Sequence, residues 1–96
     1  MKIDMTAKIL GMQGEEIKRD KEALTLKQVT LNALLLPVEG DKEEKKYEKW
    51  ELYKRVRDSK QPMELTTKEA TFIKELIGKH EPPLVMGQCW DLIEGK

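Results

Sequence analysis

ALTLKQVTLNALLL, residues 23–36, is the stretch on which the fold turns. Thr25 stands three residues before Gln28, the spacing of a capping box. Behind it Leu26, Val29, Leu31, Ala33, Leu34, Leu35 and Leu36 surround nearly the whole helix. A helix that is apolar on most sides belongs in the centre of a domain. Pro37 ends it, because the residue before a proline is pushed out of the α region.

A related phrase follows. ELTTKEATFIKELI, residues 64–77, has Thr66 before Glu69 and apolar Ala70, Phe72, Ile73, Leu76 and Ile77 at helical spacing. Gly78 stands where a glycine C-cap is expected, with Lys79 and His80 near the negative end of the helix dipole. Leu24-Thr25 matches Leu65-Thr66, and Trp50-Glu51-Leu52 parallels Trp90-Asp91-Leu92. A separation of about forty residues falls among the periods of internal repeats. Thr-x-Lys-[Gln/Glu] is also a generic helix start, so the sequence leaves open whether the two helix pairs are a duplication. Either way each pair is expected to have one tryptophan anchor.

Between these stretches, VEGDKEEKK (residues 38–46) is a charged connection in which Asp41 is the expected N-cap. The helix that follows, to about Asp58, carries Tyr47, Trp50, Leu52, Tyr53 and Val56 as a broad apolar arc, and Glu51–Arg55 as an i,i+4 ion pair. Ser59-Lys60-Gln61-Pro62 breaks it, and Met63-Glu64-Leu65 is extended enough to add a strand. Pro82-Pro83 open a last short helix with apolar Val85, Met86, Cys89, Trp90, Leu92 and Ile93.

The N-terminus differs. In KIDMTAKIL (residues 2–10), Ile3, Met5, Ala7 and Ile9 alternate with Lys2, Asp4, Thr6 and Lys8, the period of a half-buried strand. Gly11-Met12-Gln13-Gly14 turns the chain, and residues 15–18 return as a second strand. The expected architecture is α+β and mainly helical. One domain spans 1–96, with a β-hairpin (1–20) packed on about four helices arranged as pairs over 24–58 and 64–94.

Composition excludes more than it selects. Charged residues are 38% of the 96, against roughly 25% in an average domain, yet 18 bases cancel 18 acids. Zero net charge argues against a generic polyanion binder and gives no electrostatic barrier to self-association. A single cysteine allows no internal disulfide. No apolar run approaches the ~20 residues of a membrane span, and the polar N-terminus is no signal peptide. The chain is therefore read as cytoplasmic, without a membrane partner.

Candidate chemistry is sparse. Cys89 and His80 are unique in the chain. A Cys–His nucleophile pair requires an activated thiolate within reach of a base. Cys89 lies on an apolar helix face, where it behaves as a small hydrophobe. One Cys and one His fall short of the four donors of a structural zinc site unless copies share them. GMQG is a bare GxxG, the loop that clamps nucleic-acid backbone in KH domains, but it holds no base and follows a strand. The carboxylates Glu43, Glu44 and Glu48 have lysine neighbours and read as a solvated surface. There is no P-loop, GxGxxG, HExxH or GxSxG. No catalytic, cofactor-binding or metal-binding residue is assigned, and no small-molecule substrate is expected.

The helix from Asp41 to Lys60 is the one candidate surface. Lys42, Lys45, Lys46, Lys49, Lys54, Arg55 and Arg57, interleaved with aromatics, are the candidate nucleic-acid contacts. Mixed charge of this kind is more often a solvated face with the aromatics turned inward.

LTTKEATFIKELIGKHEPPLVMGQCWDLIEG (residues 65–95), with LTLKQVTLNALL (residues 24–35) and the N-terminal hairpin, resembles small proteins encoded by bacteriophages and prophages. The shared features are helix starts and ends, and no activity is attached to them. The resemblance implies a host cytosol, no catalysis and no functional residue to carry over. The leading expectation is a non-enzymatic phage or prophage accessory protein that binds another protein or itself as a homodimer, because Leu31–Leu36 and residues 84–93 carry more apolar surface than a chain this size hides. The alternative is a nucleic-acid-binding module using residues 42–60.

Overall fold

Thr25 starts helix α1 (Leu26–Leu35), its side chain accepting a hydrogen bond from the Gln28 backbone N–H at 3.3 Å. The computed structural model describes residues 1–19 and 21–95; Asp20, at the end of the hairpin segment, and Lys96, at the end of the domain span, lie outside the described residues. Only half of the expected first capping box forms. Gln28 donates its side-chain amide to Glu22 at 2.9 Å instead of reaching back to the cap. The second box is complete: Thr66 accepts from the Glu69 N–H at 3.1 Å, and Glu69 accepts from the Thr66 N–H at 3.0 Å.

Among the described residues the chain is α+β and mainly helical, with α1 followed by α2 (Glu43–Arg57), α3 (Thr67–His80) and α4 (Pro83–Glu94). Helix α1 packs against all three others, and α3 packs against α4. Its central place follows from its composition. Leu26, Val29, Thr30, Ala33 and Leu34 are buried on it, against Val56 of α2, Ile73 and Ile77 of α3, and Cys89 and Ile93 of α4. Burying each Leu, Ile or Val fully stabilises the fold by roughly 1.5–3 kcal/mol relative to exposure.

The N-terminal segment joins the core through Ile3, Met5 and Ile9 and holds three short strands, β1 (Lys2–Ile3), β2 (Lys18–Arg19) and β3 (Glu22–Ala23); a fourth, β4 (Met63–Glu64), lies between α2 and α3. The alternation read from the sequence holds, since Ile3, Met5 and Ile9 are buried while Lys2, Asp4, Thr6 and Lys8 are exposed. One unbroken strand does not form. The Asp4 carboxylate accepts from the Thr6 N–H at 2.9 Å and the Thr6 hydroxyl at 2.5 Å, a local turn that competes with a ladder. Beyond it, Lys8 bridges to Thr25 and Leu10 to Glu16, closing the Gly11–Gly14 turn with Gly14 at φ 82°. The chain then makes a second hairpin, β2 against β3. The extended stretch after α2 joins the first strand as the sequence suggests: Lys2 faces Glu64 and Ile3 faces Met63, antiparallel.

Three local expectations are corrected. Asp41 does not cap α2; Lys42 occupies the N-cap position with no side-chain hydrogen bond, because Asp41 is engaged by Lys49. Glu51 and Arg55 do not pair: Glu51 takes Lys54 and Arg55 takes Glu69 of α3. Gly78 does not end α3, which continues to His80 with Glu81 as its cap. A β-carbon there would lie 3.4 Å from Trp90 Cζ2, an ordinary van der Waals contact, so the position accommodates glycine without requiring it.

Candidate functional site

The arc expected inward on α2 is split by the fold. Leu52 and Val56 are buried, whereas Tyr47 is 63% and Trp50 43% exposed. The reason is the register of α2 on α1. Lys49 and Leu52 face α1, so Trp50, about 100° and 160° from them around the helix, must face out. Trp50 stacks on Tyr53 with ring centroids 5.6 Å apart and planes 13° from parallel. Trp90, by contrast, is half-buried and donates its indole N–H to the Lys74 carbonyl at 3.0 Å. The two tryptophans at matching stations in the sequence thus hold different roles, one anchoring and one displayed.

Leu35, at the last turn of α1, joins the displayed set with 57% of its surface exposed. On one side of it lies a hollow of about 230 Å³ between Leu34–Pro37 and Trp50, floored by Asp41 and Lys49. On the other lies a hollow of about 460 Å³ lined by Leu31, Asn32, Tyr53, Gln28 and Arg19. Leu35, Trp50 and Tyr53 form the ridge between them. The apolar surplus expected on residues 31–36 is therefore present at Leu35. On residues 84–93 it is confined mainly to Leu84, while Val85, Cys89 and Ile93 are buried. A third groove, about 360 Å³, runs between α2 and α3 and is lined by Tyr47, Glu51, Arg55, Glu69 and Phe72.

The candidate nucleic-acid contacts do not converge on one open surface. Lys49 is only 5% exposed and holds Asp41 in an ion pair, which keeps the Asp41 carboxyl below the usual carboxylate range. Lys54 pairs with Glu51 at 3.2 Å and lies over Trp50. Arg57 pairs with Asp58 at 3.0 Å and lies over Tyr53. Arg55 pairs with Glu69. Lys45 reaches Glu48 at 3.4 Å and lies over Phe72. Lys42 and Lys46 are exposed and make no ion pair among the described residues. Tyr47 hydrogen-bonds Glu51, which raises the phenol and, together with Lys54, lowers the carboxyl.

Cys89 is buried, and desolvation pushes its thiol up to about 12. A thiol held that high is protonated and inert at neutral pH. His80 ends α3, and its buried Nε2 has no hydrogen-bond partner among the described residues. Among the described residues no three His, Cys, Asp or Glu side chains gather as a metal-binding group, and no helix is long and apolar enough to cross a membrane.

What sequence reasoning missed is the display of Trp50. The signal was present: Lys49 stands beside it, but a lysine inside a helix–helix contact is rare enough that periodicity assigns it to solvent. Comparison with family models, curated proteins and solved structures finds no match for this chain.

Proposed function

We propose that this protein is a non-enzymatic accessory protein of the phage or prophage type that works by protein–protein interaction through the ridge of Leu35, Trp50 and Tyr53. The observation that carries the reading is exposed Trp50, stacked on half-buried Tyr53, beside the same hollow as exposed Leu35. Aromatic residues backed by a leucine and flanked by hollows have the composition of an interface hot spot. Lys54 and Arg57, which lie over the two rings, are paired with Glu51 and Asp58 within the same helix end. The unreactive thiol of Cys89 is in keeping with a binding role. The phage-type context rests on the resemblance of residues 24–35 and 65–95, and the host cytosol is the compartment it brings. The reading requires no cofactor, small-molecule substrate or membrane.

The test is affinity capture from a bacterial host extract with the wild-type chain and with Leu35→Glu and Trp50→Glu, each confirmed folded by circular dichroism. A protein held by the wild type and lost from both variants supports the reading. Equal capture by all three sinks it.

A further inference from the structure

Trp50 is the central residue of the fifteen in α2. At 100° per residue, Glu43, Tyr47, Tyr53 and Arg57 all stand within about 60° of it around the helix, with Tyr53, half-buried, at the edge nearest Val56. The stripe is symmetric in kind as well as in position. An aromatic lies three residues to either side of Trp50. A carboxylate lies seven residues before it and a guanidinium seven residues after it. The first turn of α2 is acidic, Glu43 and Glu44, and its last turn is basic, Lys54, Arg55 and Arg57.

We propose that the occupant of this face is a second copy of the chain, with the two α2 helices antiparallel about a two-fold axis at Trp50. This rests on the reading of the Leu35–Trp50–Tyr53 ridge as a protein-binding surface and goes further by naming the partner and register. A two-fold pairing needs a self-complementary patch, in which residue i meets j and j meets i. Here the axis sets Trp50 against Trp50 and Glu43 against Arg57 of the second copy, twice over, with Tyr47 level with Tyr53 of the second copy on the other side of the seam. The acidic end of each helix meets the basic end of the other, and the antiparallel dipoles add in the same sense. One pairing opposes: Lys46 faces Lys54 of the second copy, but Lys54 already carries Glu51 at 3.2 Å. Asp58, at 3.0 Å from Arg57, shares that guanidinium with the incoming carboxylate. Zero net charge adds no long-range repulsion between copies.

Two charge reversals test the register, because the pairing makes an unusual demand of them. Glu43→Arg and Arg57→Glu should each weaken the wild-type dimer by about tenfold or more, since each puts like charges together at both ends. Mixed in equal amounts, they should form a heterodimer near wild-type strength, because positions 43 and 57 of the two variants then oppose each other with unlike charges at both ends. Trp50→Glu should abolish the dimer, and Trp50→Ser, made in parallel, guards against a folding defect. Sedimentation equilibrium reads the constants, and native mass spectrometry reads the mixed species. A wild-type chain that stays monomeric at high micromolar concentration overturns the inference. So does a dimer indifferent to the reversals, or a mixture no tighter than either variant alone. A monomer or an indifferent dimer overturns only the two-fold pairing; the broader reading fails if neither a second copy nor a host protein is held through Leu35 and Trp50.

Discussion

Gly78 lies beside Trp90, so that a β-carbon on the glycine would lie 3.4 Å from the indole Cζ2. The contact locks α4 onto α3, with the indole N–H held by the Lys74 carbonyl at 3.0 Å and the Lys74 ammonium 4.8 Å from the ring centroid.

That spacing accepts a methyl group at ordinary van der Waals distance, and Gly78 is otherwise exposed. Gly78→Ala should stabilise the chain by about 0.5–1 kcal/mol, the usual gain of alanine over glycine inside a helix. Gly78→Leu should gain no more than Gly78→Ala and leave the tryptophan emission in place, because the longer side chain at this exposed position turns to solvent. Denaturant midpoints and fluorescence spectra check both variants.

The Lys49–Asp41 pair makes stability depend on acid. The folded-state Asp41 carboxyl is held below its unfolded value of 3.8, first by the hydrogen bond from Lys49. A depressed carboxyl contributes stability above its unfolded pKa and loses it as pH falls through the folded one. Asp41→Asn should therefore lower the urea midpoint clearly at pH 7, and the gap to wild type should close as pH falls below about 4. Lys49→Met keeps the buried stem and removes the charge, so it should cost less than Asp41→Asn, which strands a buried ammonium.

The two helix starts should respond unequally. Thr66→Ala removes the centre of a complete capping box and should cost about 1 kcal/mol. Glu69→Ala should add to that loss at α3. Gln28→Ala should leave the cap of α1 intact, because its side chain is committed to Glu22 at 2.9 Å. Thermal unfolding of the three variants separates these outcomes.

Cys89 should resist alkylation in the folded protein and react fully once it is unfolded. Its burial and a thiol pushed up to about 12 both act in that direction. Iodoacetamide labelling read by mass spectrometry, with and without denaturant, is the check. Rapid labelling of the native chain at pH 7 would contradict the packing of α4.

Periodicity and capping spacing disclose the helices because both are local. Thr25 and Thr66 mark their starts by three-residue chemistry, and Pro37 and Pro82-Pro83 act through their own rings. The alternation of Ile3, Met5 and Ile9 likewise names the buried face of the N-terminal segment. The extended run still breaks at Asp4, whose carboxylate takes the Thr6 N–H before any neighbouring strand can claim the backbone.

The displayed ridge is a different matter. Trp50 and Leu52 belong to one apolar arc in the sequence. Which of them is buried depends on how α2 is rotated against α1, and that rotation is set by packing between residues of separate elements. Glu51–Arg55 fails for the same reason: Glu69 of α3, remote in the chain, is near in space and takes Arg55 first. Local chemistry fixes where each helix begins and what it is made of. Which face each helix shows to water, and so which surface is left to meet a partner, is a competition among neighbours that exist only once the chain has folded.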